Sequence, residues 1–361
     1  MSVDSITAML SDTQVPMPED MGMGVAIVGA GTIVRVAHLP AYRKAGFSVR
    51  GIYDTDRARA DALARSFNVP RVYDELSALL NDTTVDIVDV AVPPEQQPQV
   101  ARAVAAAGKH LLCQKPLAWT AIEAQEIVDA AATAGIVLAV NQQTRWAPAL
   151  QASRRALTEG LLGTPTRCIF DFAFLESSSW WNNAPEPALW ADCVHTVDAA
   201  RFLLGEPERV VSHMWSGGSQ EARGKTLVEI ILDYGPTTAA RISTDTIYWA
   251  DTYARFELHG TEAIARASLA EWTHYPLELP DEFELVRRVD PGTRHVPKFT
   301  TSHIPDAFVA TMAELMIAIE RHHAPAISGL DNLRTLMVLE AASHSAATGQ
   351  AVRMNIPRTA A

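Results

Sequence analysis

A five-residue apolar run that opens directly into a Gly-x-Gly turn constrains this chain more than any other feature. Gly24-Val25-Ala26-Ile27-Val28 is short and rich in β-branched residues, as a strand buried on both faces should be. It leads into Gly29-Ala30-Gly31-Thr32-Ile33-Val34, and a helical pattern follows through Lys44. Gly29 permits a tight turn, and Gly31 lets the backbone approach a pyrophosphate with no Cβ in the way. The free N–H groups around Thr32 and Ile33, at the start of the helix, then meet the negative charge. Val34 stands where this fingerprint normally has Gly or Ala, a position that governs helix–strand packing. A glycine pair alone would also suit a structural turn. The strand before it, the helix after it and an acid further on favour a dinucleotide.

That acid is Asp54, at the end of a second β-branched run from Ser48 to Tyr53. A carboxylate there accepts hydrogen bonds from the adenosine ribose diol and repels a 2′-phosphate, so NAD is expected as cofactor. Its structural alternative is to cap the next helix. Arg57 and Arg59 leave NADP open, should either turn toward the ribose.

The alternation continues along the chain. Asp56 suits the N-cap of a helix running to Ala64. Arg71–Tyr73 reads as a short strand and Asp74–Leu80 as a short helix. Val85–Val92 is an apolar strand stopped by Pro93-Pro94, which puts Val92 and Pro93 at the cofactor edge. Gln96–Ala107 is a helix ended by Gly108, His110–Cys113 a fifth strand, Ile122–Ala134 a helix ended by Gly135, and Ile136–Val140 a last strand. Strands alternating with such helices imply right-handed crossovers and a doubly wound parallel sheet. After a helix from Ala147 to Glu159 the grammar changes. Six strand-like segments between Thr166 and Ser268 follow with few helices, as in an open, largely antiparallel sheet. Helices are expected at Asp192–Leu203, Asp306–His322 and Asp331–Thr348, and Asp281–Thr301 reads as an aperiodic arm. The fold class is therefore α/β, with a leader at residues 1–23, a Rossmann domain at 24–145 and an α+β domain at 146–361.

Composition sets outer bounds. Thirty Lys and Arg against 42 Asp and Glu leave a net charge of −12, which repels nucleic-acid phosphates. No apolar run reaches the roughly 18–20 residues needed to cross a bilayer. Residues 1–20 contain no Lys or Arg, so they do not read as a secretory signal. They are expected to be disordered or packed on a neighbouring subunit. Three cysteines without CxxC spacing suggest a reducing, cytoplasmic setting and no structural zinc.

Two further motifs carry chemistry. Gly108-Lys109-His110-Leu111-Leu112-Cys113-Gln114-Lys115-Pro116 places Lys115 just beyond a buried strand, at the sheet edge where ligands bind. Beside a nicotinamide that turns cationic on oxidation, its ammonium is disfavoured and its pKa lowered. The structural alternative is a surface ion pair. In Trp190-Ala191-Asp192-Cys193-Val194-His195-Thr196-Val197-Asp198, Asp192 and His195 are three apart and share one helical face. Asp192 can orient the imidazole, and Asp198 can brace it from the other side. A lone helical histidine is more often structural; two flanking acids favour a functional one.

With VAIVGAGTI…AHLPAY, YDTDRARADALA, AAAGKHLLCQKPLA and HTVDAARFLLGEP, the chain resembles the glucose–fructose oxidoreductase / inositol 2-dehydrogenase (Gfo/Idh/MocA) family. The family's Glu-Lys-Pro signature is Gln114-Lys115-Pro116 here. An Asp often four residues before the histidine is Ala191, with Asp192 one residue later, and a frequent His early in the fourth helix is Gln97. The resemblance implies a nicotinamide-dependent oxidoreductase acting on a sugar, polyol or glycoside, with no metal. It also implies a second domain whose open sheet packs against other subunits, as a homo-oligomer of dimer or tetramer size. Lys115 and His195 are implied near the substrate hydroxyl, and Asn141, Arg145 and Trp146 in the segment where the substrate pocket begins. Gln114 and Asn141 join the expected cofactor contacts. His195 suits a general base, because its reference pKa of about 6.5 lies near neutrality. Lys115 would stabilise the developing alkoxide, and the two roles are exchangeable. Trp180 and Trp181, in Ser177–Asn183, would stack on a sugar face or fill an interface. Two other readings stand beside this one: reduction of an imine or other carbonyl, and a non-catalytic NAD sensor.

Overall fold

The computed structural model describes residues 2–175, 186–217, 224–270 and 279–355. The chain divides into two compact units. One joins Val15–Gln143 to Ile304–Leu333; the other joins Met1–Gln14, Thr144–His303 and Arg334–Ala361.

The first unit is built on β1 (Gly24–Val28), β2 (Ser48–Tyr53), β3 (Ile87–Val90), β4 (His110–Cys113) and β5 (Leu138–Val140). They form an all-parallel sheet in the order β2-β1-β3-β4-β5. Every residue of β1, β3 and β5 is buried, the pattern of a sheet covered on both faces. Arg71–Tyr73 contributes only a single parallel bridge, Ile52 to Val72, so the lysine motif follows the fourth strand and not the fifth. With that bridge at the edge, the strand order reverses between β1 and β3, which places a ligand crevice at their carboxyl ends. Caps end the helices where expected: Asp56 accepts from the N–H groups of Ala58 and Arg59, and Gly135 takes φ 67° after Ala121–Ala134.

The helix Phe308–Glu320 belongs to this unit. Phe308, Met312, Leu315 and Met316 share a core with Val25, Ile27 and Leu112. A cut at residue 145 therefore does not describe the compact units. The helix is apolar on nearly every face, so its local pattern carries no mark of which sheet it covers.

The second unit carries β6 (Pro165–Ala173), β7 (Arg209–Trp215), β8 (Leu227–Asp233), β9 (Ala239–Asp245), β10 (Tyr253–Gly260), β11 (Ala263–Ser268), β12 (Glu282–Arg287), β13 (Asp290–His295) and β14 (Val352–Arg353). Their order is β13-β12-β11-β10-β6-β9-β8-β7-β14. All neighbours are antiparallel except β6 and β9. Burial alternates along β7, β8 and β9, so one face is covered and the other open.

Two expectations are corrected here. The segment 281–301 is a strand pair and not an arm: Phe283 and Leu285 turn inward from β12, and β13, too polar to show a period, pairs with it. The leader is not a free tail either. Ser2 caps a helix, Val3–Ser11, whose Ile6 and Leu10 are fully buried, and Arg155 donates to Asp12 at 2.8 Å. An i,i+4 apolar pair is enough to dock a short helix that polar composition alone reads as unstructured.

Candidate active site

In the first unit the glycine turn is held from both sides. Gly29 has φ 112°, a Cβ there would lie 2.3 Å from the Ala91 carbonyl oxygen, and its N–H donates to Tyr53 O at 2.8 Å. Only glycine fits. A Cβ on Gly31, by contrast, would meet nothing within 4 Å. The turn leads into a helix whose residues Val34–His38 form a π-helical segment, with Val34 buried in the core. Thr32 is exposed and Ile33 half-buried beside this opening, as are Pro93 and Val92 respectively after β3. Asp54 stands half-buried at the end of β2; its Oδ2 accepts from Ala30 N–H at 2.6 Å and its Oδ1 from Asp56 N–H at 2.7 Å. The carboxylate thereby fixes the glycine turn. Arg59 is exposed and pairs with Asp56 at 3.0 Å, so it already has a carboxylate of its own.

Lys115 is half-buried just past β4, and its peptide bond to Pro116 is cis. Its loop is clamped. Gln97, fully buried, donates through Nε2 to the carbonyl oxygens of Gln114, Pro116 and Leu117 at 2.7, 3.0 and 2.9 Å. The Gln114 side chain accepts from Lys115 N–H at 2.8 Å. Asn141, also buried, follows β5; its N–H donates to Cys113 O at 2.8 Å, and its Oδ1 has no partner among the described residues. Burial pushes the Cys113 thiol far above its ordinary value, with the Asp89 charge adding to the shift, so that sulfur is inert.

In the second unit, Asp192 lies in a π-helical segment, Ala188–Cys193, and His195 lies at the start of the α-helix Val194–Leu204. The two therefore do not sit three apart on one regular helix; the wider π turn changes the register between them. Both are buried. Thr144 Oγ1 lies 3.0 Å from His195 Nδ1, a partner that no periodicity announces. Asp198 does not brace the imidazole as expected. Its carboxylate accepts from Arg145 Nε and Nη2, both at 2.6 Å, and from Thr335 Oγ1 at 3.0 Å, with Arg201 Nη1 3.7 Å away. Arg145, expected at the substrate, is accordingly engaged in a buried ion pair with its guanidinium over the Phe202 ring. Trp146 follows it, and its indole Nε1 is buried with no acceptor among the described residues. Trp180 and Trp181, with the Ser177–Asn183 segment, lie outside the described residues.

Sequence reasoning noted Gln97 only as a departure from the family pattern, and it missed Thr144 and a buried pair, His38 and Asp89. An aspartate inside the wholly buried strand Ile87–Val90 was the available signal, since a charge there requires a partner.

The residues suit a dinucleotide. Open space faces Gly31 where a Cβ would stand, Asp54 lies at the end of β2, and an unpartnered Asn141 oxygen sits after β5. Comparison with known proteins agrees. A model of an oxidoreductase family with an NAD-binding Rossmann fold matches residues 23–142, and that family's C-terminal alpha/beta domain matches 154–354. The chain is 31% identical to a D-apiose dehydrogenase of Paraburkholderia graminis, covering 98% of this chain and 95% of that protein. It is 29% identical to a 1,5-anhydro-D-fructose reductase of Ensifer adhaerens, over 91% and 97%. Among solved structures, levoglucosan dehydrogenase in complex with NADH and levoglucosan shares the fold at a TM-score of 0.80 and 22% identity, over 92% of this chain and all of that one (100%). The Rossmann unit, the mixed sheet and the two family matches together place this chain in the Gfo/Idh/MocA family of NAD-binding oxidoreductases.

Proposed function

We propose that this protein oxidises a secondary hydroxyl of a sugar, glycoside or cyclitol to a ketone, with NAD as hydride acceptor. The observation that carries the reading is Lys115, which stands at the carboxyl end of β4 in an NAD-binding sheet, in a loop clamped by Gln97 and Gln114. Kinship over nearly the whole chain with a D-apiose dehydrogenase supports a carbohydrate substrate. When bound, NAD would supply the hydride acceptor. The protein's residues handle the proton and the charge. His195 takes the hydroxyl proton, held through Nδ1 by Thr144 so that Nε2 is the exchanging nitrogen. Lys115 stabilises negative charge as it develops on the substrate oxygen. Asp192, buried two residues before the histidine's helix begins, supports the charged imidazole. Arg145 acts indirectly, anchoring the Thr144–Trp146 segment to Asp198, while the Trp146 indole N–H is a donor for a substrate oxygen.

Purified protein given NAD and a panel of sugars, glycosides and cyclitols should show growth of the reduced-nicotinamide absorbance with at least one of them. No turnover in either direction, with NAD bound, would leave only a sensor. Kinship with a 1,5-anhydro-D-fructose reductase favours testing the reverse direction, carbonyl reduction with NADH, on the same panel.

The two glycines separate folding from cofactor binding. Gly29→Ala should destabilise the protein by about 1–3 kcal/mol, because it imposes a side chain on a backbone with φ 112°. Gly31→Ala should melt as the parent does and bind NAD more weakly in a fluorescence titration.

We also read the protein as a cytoplasmic homo-oligomer of dimer or tetramer size. Its three cysteines are free and buried, and Val211, Trp215 and Ile231 expose apolar surface on the open face of β7 and β8. Light scattering on the purified protein measures the assembly directly. Among the described residues no helix is long and apolar enough to cross a membrane.

A further inference from the structure

Beneath the Lys115 loop lies a buried polar chain that the reaction described above does not use. His38 and Asp89 are both wholly shielded from solvent, one on the π-helical segment after the glycine turn and the other inside β3. His38 Nδ1 is 2.6 Å from Asp89 Oδ2, and the Tyr42 hydroxyl donates to the same oxygen at 2.7 Å. On the other edge of the ring, His38 Nε2 is 3.0 Å from Gln114 Nε2 and 3.3 Å from Asn141 Nδ2. The Phe308 ring packs against the imidazole with centroids 5.1 Å apart.

The direction of every hydrogen bond in this chain follows from one group that cannot reverse. Lys115 N–H is a backbone amide and only donates. Gln114 therefore presents its Oε1 to it, at 2.8 Å, and its NH₂ to His38. His38 Nε2 must then accept, which puts the single ring proton on Nδ1, where Asp89 accepts it. The imidazole is neutral, and the carboxylate fixes its tautomer. Asn141 Nδ2–H shares the same Nε2 lone pair. The carbonyls of Gln114, Pro116 and Leu117, all obligate acceptors, are held separately by Gln97.

We propose that Asp89 and His38 are positioning residues for the reaction: through the Gln114 amide they hold the Lys115 backbone at the end of β4. This rests on the reading that Lys115 serves hydride transfer. The same groups explain why glutamine is well matched at position 114. A glutamate would still accept from Lys115 N–H, but its second oxygen would face a bare Nε2, and His38 would have to take up another proton.

The test begins on the unmodified full-length protein. With ¹⁵N-labelled histidine, NMR should show His38 protonated on Nδ1 and bare on Nε2 at neutral pH, and Gln114→Glu should convert it to the doubly protonated form. An imidazolium or an Nε2–H ring in the parent, or a His38 spectrum unmoved by Gln114→Glu, overturns the chain. In His38→Phe, amide hydrogen exchange at Lys115 should rise about tenfold while Leu111 and Leu112 in β4 keep their protection. Unchanged exchange at Lys115 would mean that His38 does not act through Gln114. On the sugar that the parent oxidises, His38→Phe should lose roughly 10–100-fold in kcat with little change in NAD affinity. The double variant with Gln114→Leu should be no slower than Gln114→Leu alone; losses that multiply would show two independent effects and no relay. The spectra and the exchange rates decide the matter even if no sugar is turned over, so failure of the relay and failure of the sugar reading are separate results.

Discussion

Lys115→Ala should lower kcat by at least roughly 100-fold while leaving NAD affinity near that of the parent, and His195→Ala should do the same. The reasoning is chemical. Removing a hydride from carbon requires that the hydroxyl proton leave and that negative charge on oxygen be met, and a group acting only as that charge develops affects kcat more than binding. NAD, by contrast, is expected to be held by the glycine turn and Asp54, whose contacts to Ala30 and Asp56 involve neither residue. Lys115→Arg should recover little: a planar, longer guanidinium does not occupy the space of a compact ammonium or aim a donor at the same point. Steady-state rates on the best sugar of the panel, set beside NAD titrations, make the measurement. Near-normal turnover in both alanine variants would overturn the assignment of both roles.

The second large effect is on stability. Asp198→Ala should cost about 3–5 kcal/mol, because it removes a buried carboxylate that pairs with buried arginines. Asp198 is fully shielded, Arg145 and Arg201 are nearly so, and the carboxylate accepts from Arg145 at 2.6 Å on each oxygen. Arg201 also donates to Glu206 at 2.6 and 2.9 Å and to Thr335 at 2.6 Å. Both Arg145 bonds to Asp198 are lost in this variant, and the segment that carries Thr144 and Trp146 loses that anchor. Denaturant unfolding of Asp198→Ala and Asp198→Asn measures the cost. The asparagine variant should lose less, because it keeps one acceptor and the side-chain volume. A variant as stable as the parent would show that the ion pair is not what holds this segment.

How much was legible in the residues depended on how local the physics was. The turn at Gly29, the cap at Asp56, the helix stop at Gly135 and the position of Lys115 beyond an apolar strand are short-range matters, and each appears where local spacing put it. The hairpin of β12 and β13 was hidden because its outer strand, Asp290–His295, has no alternation and exists only by pairing with its neighbour. The π segments at Val34–His38 and Ala188–Cys193 were hidden too, for a 3.6-residue period is assumed whenever residues three apart are said to share a face.

The amino-acid sequence by itself determined a parallel dinucleotide-type sheet, an acid at the end of its second strand, a lysine at the end of a later one, and a histidine on a helix in a second unit. Those depend on neighbours in the chain. Only the tertiary structure decided the partners: Arg145 with Asp198, 53 residues apart, Gln114 with His38, 76 apart, and a helix from beyond residue 304 in the core of the first sheet. A buried charge or amide must find a complement wherever the fold brings one, and distance along the chain does not restrict where that is.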